Sequence, residues 1–251
     1  MVLVPAKEAL KAAHFPNRQE RYRAEYRLRK PGWQDSLSLY IQLIERVVGP
    51  ETWVLDIGCG HADFLGAVYA RTPHIYGLDP DAEALARNTI IRHKVVGRAE
   101  ALPFADRTFD LVTCAWVLEH LERPEPVFRE ISRVLKPGGR FIFLTPNVWN
   151  YNVWLIRSVP HRFHAQLTQK LYGRQRQDTY RVYYRINSPG RLERLARAVG
   201  LEREQLLLNG DPSYISFNRL LFAFACILEK VLDWKPLRGA RVHIIGSYRK
   251  L

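Results

Sequence analysis

Residues 54–64 read VLDIGCGHADF, and this stretch decides the fold. It opens with a short apolar run that ends at a glycine cluster, which is typical of a buried parallel strand. Asp56 lies at the strand end, and Gly58 and Gly60 follow it. Because glycines have no Cβ atom, they permit a tight turn and the close approach of a ligand to the backbone. The pattern predicts a nucleotide-type site at the start of the next helix.

Asp63 narrows the choice of ligand. The dinucleotide fingerprint G-x-G-x-x-G needs a third glycine at the position that Asp63 occupies. An acidic side chain near a helix start disfavours a pyrophosphate there. We therefore expect a nucleoside ligand without a phosphate.

Asp79 points to the same kind of ligand. It follows the second apolar run, Ile75 to Leu78, and comes about 20 residues after Gly58, the spacing at which a carboxylate reaches ribose hydroxyls in such folds. In the alternative interpretation, Asp79 only caps the helix predicted over residues 81–91. The two roles use different oxygens and can coexist.

Strand and helix signals alternate along the chain and predict an α/β fold, a Rossmann-like, doubly wound and mostly parallel sheet. Predicted strands lie at residues 53–57, 75–78, 95–96, 109–115, 140–145, 206–208 and 241–248, and predicted helices at 35–48, 62–70, 81–91, 126–135 and 188–199.

The length suits one domain, residues 1–251. Its predicted parts are a helical cap (1–49), a cofactor-binding core (50–147), two cap insertions (148–187 and 211–240) and the end of the sheet (188–210 and 241–251). The insertions are basic and aromatic, and they should cover the substrate cleft, because excess loop length in a compact domain is usually functional. Leu220–Leu228 is too short to span a bilayer, and we predict either a buried or an interfacial helix.

The net charge of +13 is unevenly distributed. Residues 50–140 carry 11 basic against 13 acidic side chains, whereas residues 141–251 carry 18 against 7. A partner that explains the charge should meet the flanks, although a solvated arginine-rich surface explains it equally well. The three cysteines form no CxxC pair, and the amino terminus lacks a signal-peptide pattern. We expect a cytoplasmic protein, with peripheral membrane contact through the basic aromatic cap as an open alternative.

An ordered series of motifs resembles the class I S-adenosylmethionine-dependent methyltransferases, especially the type 11 group that includes ubiquinone and menaquinone biosynthesis enzymes. The motifs lie within residues 53–147 and read VLDIGCG, YGLDPD, AEALPFADRTFDLV, WVLEHLERPEPVFREISRVLKPGGRFIF and LTPN. The resemblance implies a seven-stranded sheet with an antiparallel last strand and S-adenosyl-L-methionine as the cofactor.

The resemblance also implies roles for individual residues. The loop of Gly58, Cys59 and Gly60 would contact the methionine part of the cofactor, and Asp56 would support that loop. Asp79 would bind the ribose, and Pro80 would pack near the adenine.

The adenine segment departs from the family pattern. Where the family usually has G-D-A-E, residues 97–100 read GRAE. Arg98 cannot accept a hydrogen bond from the adenine amino group, so recognition is expected at the backbone of Ala99 or at Glu100.

The acceptor side offers fewer signals. The backbone at Cys114 ends the fourth strand, where the family binds the methionine amino group; a nucleophilic role for Cys114 is the weaker alternative to a buried core thiol. His120 is the best-placed general base, and a structural role is its alternative. A residue among Arg29, Lys30 and Trp33 is expected to close over the cofactor.

His161 and His164 share one helical face but lack a third ligand, so no metal site is expected. The sequence favours methylation of a small-molecule, lipid or glycan acceptor, most often at oxygen. RNA methylation is the alternative that the charge suggests, and a non-catalytic cofactor-binding protein is the other.

Overall fold

The computed structural model describes residues 17–151 and 181–251, which form a seven-stranded sheet in the order β3-β2-β1-β4-β5-β7-β6. Strands β1 to β5 pair in parallel, and β7 runs antiparallel to both of its neighbours. This topology confirms the predicted α/β, doubly wound fold with its antiparallel last strand. The strands are β1 (Val54–Ile57), β2 (Ile75–Asp79), β3 (His93–Val96), β4 (Phe109–Ala115), β5 (Leu135–Pro146), β6 (Leu201–Asn209) and β7 (His243–Lys250).

Helices cover both faces of the sheet. The helices in the described ranges are α1 (Arg18–Arg29), α2 (Ser36–Glu45), α3 (Gly66–Tyr69), α4 (Ala82–Arg87), α5 (Pro124–Val134), α6 (Pro189–Ala198) and α7 (Arg219–Val231), with 3-10 turns at Leu118–His120, Pro212–Ile215 and Lys235–Ala240. Phe128 of α5 and Leu192 of α6 pack on one face, and Ile44 of α2 and Val68 of α3 on the other. Burying each such side chain contributes about 1.5–3 kcal/mol, so the sheet is held rigidly between the two layers.

Two helices beside the site are shorter than their patterns predict. Helix α3 starts only at Gly66, because residues 59–66 form turns in which Ala62 N donates to Cys59 O and Gly66 N to Asp63 O. Helix α4 ends where Asn88 turns the chain, since its side-chain oxygen accepts from the backbone of Ile90 and Ile91 while its amide donates to Gly60 O. The turns and contacts of the glycine loop therefore fix where α3 starts and where α4 ends.

The amino-terminal helix α1 packs on α7, which lies in the insertion between β6 and β7. Tyr22 stacks on Phe222 with ring centroids 4.6 Å apart, and the Arg29 guanidinium lies 4.7 Å from the centre of the same ring. The predicted apolar helix thus exists and buries one side, including Phe222 and Ala225. No helix within the described part of the chain is long and apolar enough to cross a membrane. His161 and His164 lie outside the described residues.

Candidate cofactor and acceptor site

The site lies at the edge of the sheet where the parallel strands end. Leu78 of β2 pairs with Ile57 of β1, which in turn pairs with Cys114 of β4, so the three strand ends stand side by side. In open α/β sheets, ligands bind in the crevice outside such carboxyl ends. The predicted loop, ribose and acceptor residues all follow these strands.

The glycine loop has a backbone that requires glycine. Gly58 has φ 70° and Gly60 φ 45°, in the left-handed region that other residues avoid. A Cβ atom on Gly58 would lie 2.2 Å from Cγ2 of Val117, which is far inside van der Waals contact. The turn therefore depends on a glycine at this position for two independent reasons.

Asp79 joins the second strand to the glycine loop. Its Oδ2 accepts a hydrogen bond from Gly60 N and its Oδ1 one from Asp81 N, both at 2.8 Å. The cap of α4 is Asp81, whose Oδ1 accepts from Glu83 N and Ala84 N at 3.0 Å. Asp81, and not Asp79, is therefore the residue that caps this helix. Each oxygen of Asp79 keeps a further lone pair, which suits it to accept a ribose hydroxyl.

Asp56 is buried within β1, two positions before Gly58. Burial raises its pKa to about 7, and hydrogen bonds from Tyr69 and Thr113 lower it in part. The hydroxyls of Tyr69 and Thr113 are themselves 2.8 Å apart. This arrangement agrees with a supporting role for Asp56, and the two hydroxyl partners were missed from the sequence, since they come from α3 and β4.

The adenine segment is arranged around an ion pair. Arg98 Nη2 lies 3.3 Å from Glu100 Oε1, and the Arg98 side chain is 76% exposed. Arginine therefore extends into solvent instead of filling a buried pocket. Ala99 is buried against one core layer, and Pro80 is exposed beside the strand end.

The two cysteines of the predicted site point into the protein. The Cys59 sulfur covers Gly77 of β2, where an added Cβ would be 2.7 Å away, and Cys114 is buried between strand neighbours. Burial raises the pKa of both thiols, which keeps them protonated and poorly nucleophilic. Any contact of these positions with a cofactor is left to their backbone atoms.

His120 ends the 3-10 turn after β4 and is held through its Nδ1 atom, which lies 2.8 Å from Arg181 O. A carbonyl oxygen can only accept, so Nδ1 carries the proton and Nε2 is the nitrogen able to take one up. Nε2 lies 4.0 Å from Oε1 of the buried Glu119. The ring thus has the tautomer and the nearby carboxylate that a general base requires.

Trp33 is fixed at the junction of the cap. Its Nε1 donates to Gly210 O at 3.0 Å, and its ring meets Tyr26 edge-on. Lys30 forms an ion pair with Asp233 at 2.6 Å, and Arg29 one with Glu25 at 2.7 Å. All three residues expected to close over the cofactor therefore have partners within the cap.

A buried polar cluster beside β4 was not found from the sequence. Trp116, with φ 60°, packs edge-on against His243, whose Nδ1 lies 2.8 Å from Ser36 Oγ and whose Nε2 lies 3.0 Å from the Tyr214 hydroxyl. Burial lowers the pKa of His243 to about 4, so it is neutral. No local sequence pattern reports this cluster, because Ser36, Trp116, Tyr214 and His243 are far apart in the chain.

No group of three or more metal-ligating side chains occurs within residues 17–151 and 181–251. The residues present suit S-adenosylmethionine instead. The open glycine backbone fits the amino-acid part of a nucleoside ligand, and the anchored Asp79 carboxylate fits its ribose.

The comparisons with known proteins agree with this geometry. Residues 55–143 match a methyltransferase domain family. A demethylmenaquinone methyltransferase of Halalkalibacterium halodurans is 30% identical over 173 residues, which cover 61% of this chain and 68% of that protein. The chain belongs to the class I S-adenosylmethionine-dependent methyltransferases, type 11 group. The predicted family, fold and cofactor are thereby confirmed.

Other methyltransferase relatives differ in the atom that they methylate. A ubiquinone biosynthesis O-methyltransferase of Thiobacillus denitrificans is 32% identical, over 61% of this chain and 66% of that protein. A ubiquinone/menaquinone biosynthesis C-methyltransferase of Rubrivivax gelatinosus is 34% identical, over 43% of this chain and 47% of that protein. The chain thus spans about half to two thirds of the length of these curated relatives.

Solved structures share the methyltransferase fold at low identity. The geranyl diphosphate C-methyltransferase of Streptomyces coelicolor has a TM-score of 0.59 and 16% identity, covering 98% of this chain and 88% of that one. The [4+2]-cyclase SpnF has a TM-score of 0.55 and 16% identity, covering 99% and 93%. A cyclase with this fold illustrates that the fold alone does not decide the reaction.

Proposed function

We propose that this chain transfers the methyl group of S-adenosylmethionine to a hydroxyl of a small-molecule acceptor, in the class of lipids or glycans. The observation that carries the proposal is the Asp79 carboxylate, anchored by Gly60 N and Asp81 N at the carboxyl end of β2. That arrangement holds a ribose-binding group against a glycine loop in a family defined by this cofactor.

The cofactor would be held by residues at the ends of four strands, β1 to β4. Asp79 accepts the ribose hydroxyls, the backbone of Gly58, Cys59 and Gly60 lies along the methionine part, and Asp56 keeps the loop in place from below. Pro80, Ala99, Glu100 and the backbone of Cys114 complete the set. Bound S-adenosylmethionine would supply an electrophilic methyl group and a neutral thioether leaving group.

His120 is the proposed general base. Its Nδ1 bond to Arg181 O fixes the ring, and Nε2 takes the proton of the acceptor hydroxyl as the oxygen attacks. The buried Glu119 carboxylate, 4.0 Å from Nε2, then stabilises the imidazolium. Trp33 is proposed to shield the cofactor from water at the cap junction.

The aromatic side chains beside the end of β4 favour an acceptor with an apolar body. Trp116 and Tyr214 flank the neutral His243 beside the end of β4. The relatives named above are quinone-pathway methyltransferases, which favours a phenol or catechol carrying a hydrophobic chain as the acceptor.

The proposal is tested by incubating the protein with methyl-labelled S-adenosylmethionine and, in parallel, a prenylated catechol, total lipid extract, glycan extract and total RNA. We expect label in the catechol or lipid arms, on oxygen. His120→Gln should lower kcat about 10²- to 10⁴-fold with little change in cofactor affinity. His74→Gln is the control, because His74 only stacks on Trp53 at the opposite edge.

Four results would contradict the proposal. Label on carbon would remove the need for a hydroxyl base, and full activity of His120→Gln would remove His120 from the chemistry. Strongly salt-dependent labelling of RNA alone would make the chain an RNA methyltransferase instead. Cofactor binding without label in any arm would indicate a non-catalytic role.

A further inference from the structure

Helix α7 and the turn after it expose a continuous apolar stripe. Five side chains form it, and we name them the α7 face: Leu220, Phe224, Ile227, Val231 and Trp234. Their exposed fractions lie between 48% and 83%. The spacings of four, three, four and three residues place them along one side of the helix.

The opposite side of α7 packs against the rest of the protein. Phe222, Ala225 and Glu229 are buried, with Phe222 stacked on Tyr22 of α1. Helix α7 is therefore held on the protein by its inner side, and the α7 face is not needed for that packing. Single exposed apolar residues are common on proteins, but a contiguous stripe of this kind marks an interaction surface.

The charges around the α7 face select the partner. The exposed charged side chains of residues 219–238 are all basic: Arg219, Lys230, Lys235 and Arg238. Of the two acidic side chains in this range, Glu229 is buried, and Asp233 is 41% exposed but is paired with Lys30 and Arg241. An apolar stripe whose unpaired neighbouring charges are basic complements a surface that is apolar inside and anionic at its boundary.

The dimensions favour a helix lying in the plane of that surface. Thirteen residues of α7 measure about 20 Å, too short to cross a bilayer core of about 30 Å. Trp234, 66% exposed at the end of the stripe, has the amphipathic ring that concentrates at membrane interfaces. Lysine and arginine at the rim can reach headgroups while their stems cover apolar surface.

We propose that the α7 face docks this protein peripherally on the surface of an anionic lipid bilayer. Docking rests on the stripe and its basic rim and does not require the methyl-transfer proposal. It would deepen that proposal, because Tyr151 donates a hydrogen bond to Glu229 on the inner side of α7, close to Gly210 and Trp33 of the cap. The cap would then face the phase in which a lipophilic acceptor dissolves.

The test measures co-sedimentation of the full chain with vesicles of phosphatidylcholine that contain an increasing fraction of phosphatidylglycerol. We expect binding that rises with the anionic fraction and weakens as salt is added. Phe224→Ser/Ile227→Ser should lower the partition coefficient about tenfold or more, because it removes apolar area from the interface. Lys235→Glu/Arg238→Glu should lower it by a similar factor only on anionic vesicles.

Matched controls make the same chemical changes elsewhere. Leu251→Ser replaces an exposed apolar side chain at the opposite edge of the sheet, and Arg194→Glu reverses an exposed charge on α6. Both should bind vesicles as the native protein does. Circular dichroism and cofactor titration of every variant show that the fold persists, and they separate a failure of docking from a failure of the cofactor site.

Two outcomes would overturn the docking proposal. One is native protein that stays in the supernatant at every anionic fraction, or face variants that bind as the native protein does. The other is a dimer in solution that Phe224→Ser/Ile227→Ser dissociates, since a second copy of the chain would then cover the α7 face.

Discussion

At the scale of single residues, Arg98 is the clearest departure from the family's adenine motif. Its guanidinium is paired with Glu100 and extends into solvent. An aspartate there would restore an acceptor for the adenine amino group and release Glu100. We expect Arg98→Asp to tighten S-adenosylmethionine binding about three- to tenfold, the value of one added hydrogen bond.

The check on Arg98 is a calorimetric titration of the native protein, Arg98→Asp and Arg98→Ala. The alanine variant separates the new acceptor from the loss of the arginine charge. Equal affinity of the aspartate and alanine variants would mean that adenine is recognised elsewhere, at the backbone of Ala99.

The positions of site residues were predictable where the backbone itself carries the signal. Gly58, Gly60 and Asp79 follow from strand ends and spacing, and the structure brings Gly60 N to the Asp79 carboxylate and Gly58 N to Leu78 O. The bond from His120 to Arg181 joins positions 61 apart in the chain, and no local pattern reports such a contact. The tautomer of His120 could therefore not be predicted from the sequence.

At the scale of elements, the loop after β1 and the turn after β4 interlock through Gly58 and Val117. We expect Gly58→Ala to lower the free energy of unfolding by about 2–4 kcal/mol, since the new methyl group overlaps Val117 and φ is positive. In Gly58→Ala/Val117→Ala the overlapping methyl group of Val117 is gone. The cost of the glycine substitution itself then falls to the backbone strain at positive φ, about 1–2 kcal/mol.

The measurement is a double-mutant cycle, in which urea unfolding gives the stability of Gly58→Ala, Val117→Ala and the double variant. The double variant should lose clearly less stability than the two single losses combined, which gives a favourable coupling energy. Additive losses would show that the loop and the turn relax independently of each other.

Element types were predictable from the sequence, while several boundaries were not. The apolar runs predicted β1, β2 and β4, because a short continuous apolar run is the main sequence signal of a buried parallel strand. The ends of α3 and α4 depend on the side chain of Asn88 and on turns that pack against the loop. Such ends are decided by tertiary hydrogen bonds, which periodicity does not contain.

At the scale of the whole molecule, the pH dependence of stability depends on two buried carboxyl groups and one buried histidine, whose pKa values shift in opposite directions. Burial raises the pKa of Glu229 from 4.5 to about 7 and that of Asp56 also to about 7, whereas it lowers the pKa of His243 to about 4. Glu229 and Asp56 each bind a proton more tightly in the folded state than in the unfolded state. Between the unfolded pKa of each group and its folded pKa of about 7, the free energy of unfolding therefore falls as the pH rises. His243 acts in the opposite direction between about pH 4 and 6.5.

Glu229→Gln isolates one of these contributions. Relative to the native protein, its free energy of unfolding should increase between pH 5 and pH 8, by up to roughly 3 kcal/mol, because glutamine has no proton to lose. The measurement is urea unfolding at several pH values, with Glu125→Gln, at an exposed position, as the control for losing a negative charge. A difference that stays constant across this range would contradict the buried, protonated state.

The overall charge was the weakest guide to function. It indicated that the flanks meet a partner, but only the structure shows that residues 219–238 combine exposed basic side chains with an exposed apolar stripe. A hydropathy pattern predicts that Leu220–Leu228 is helical, yet which side is covered depends on Tyr22, about 200 positions away.

The central claim is that S-adenosylmethionine binds through Asp79 at the ends of β1 and β2. The most direct test titrates the cofactor calorimetrically into the native protein, Asp79→Ala and Asp81→Ala. We predict saturable binding to the native protein, a loss of about 100-fold or more in Asp79→Ala, and near-native affinity in Asp81→Ala, which removes only a helix cap. No binding to the native protein, or equal affinity in native and Asp79→Ala protein, would contradict the account.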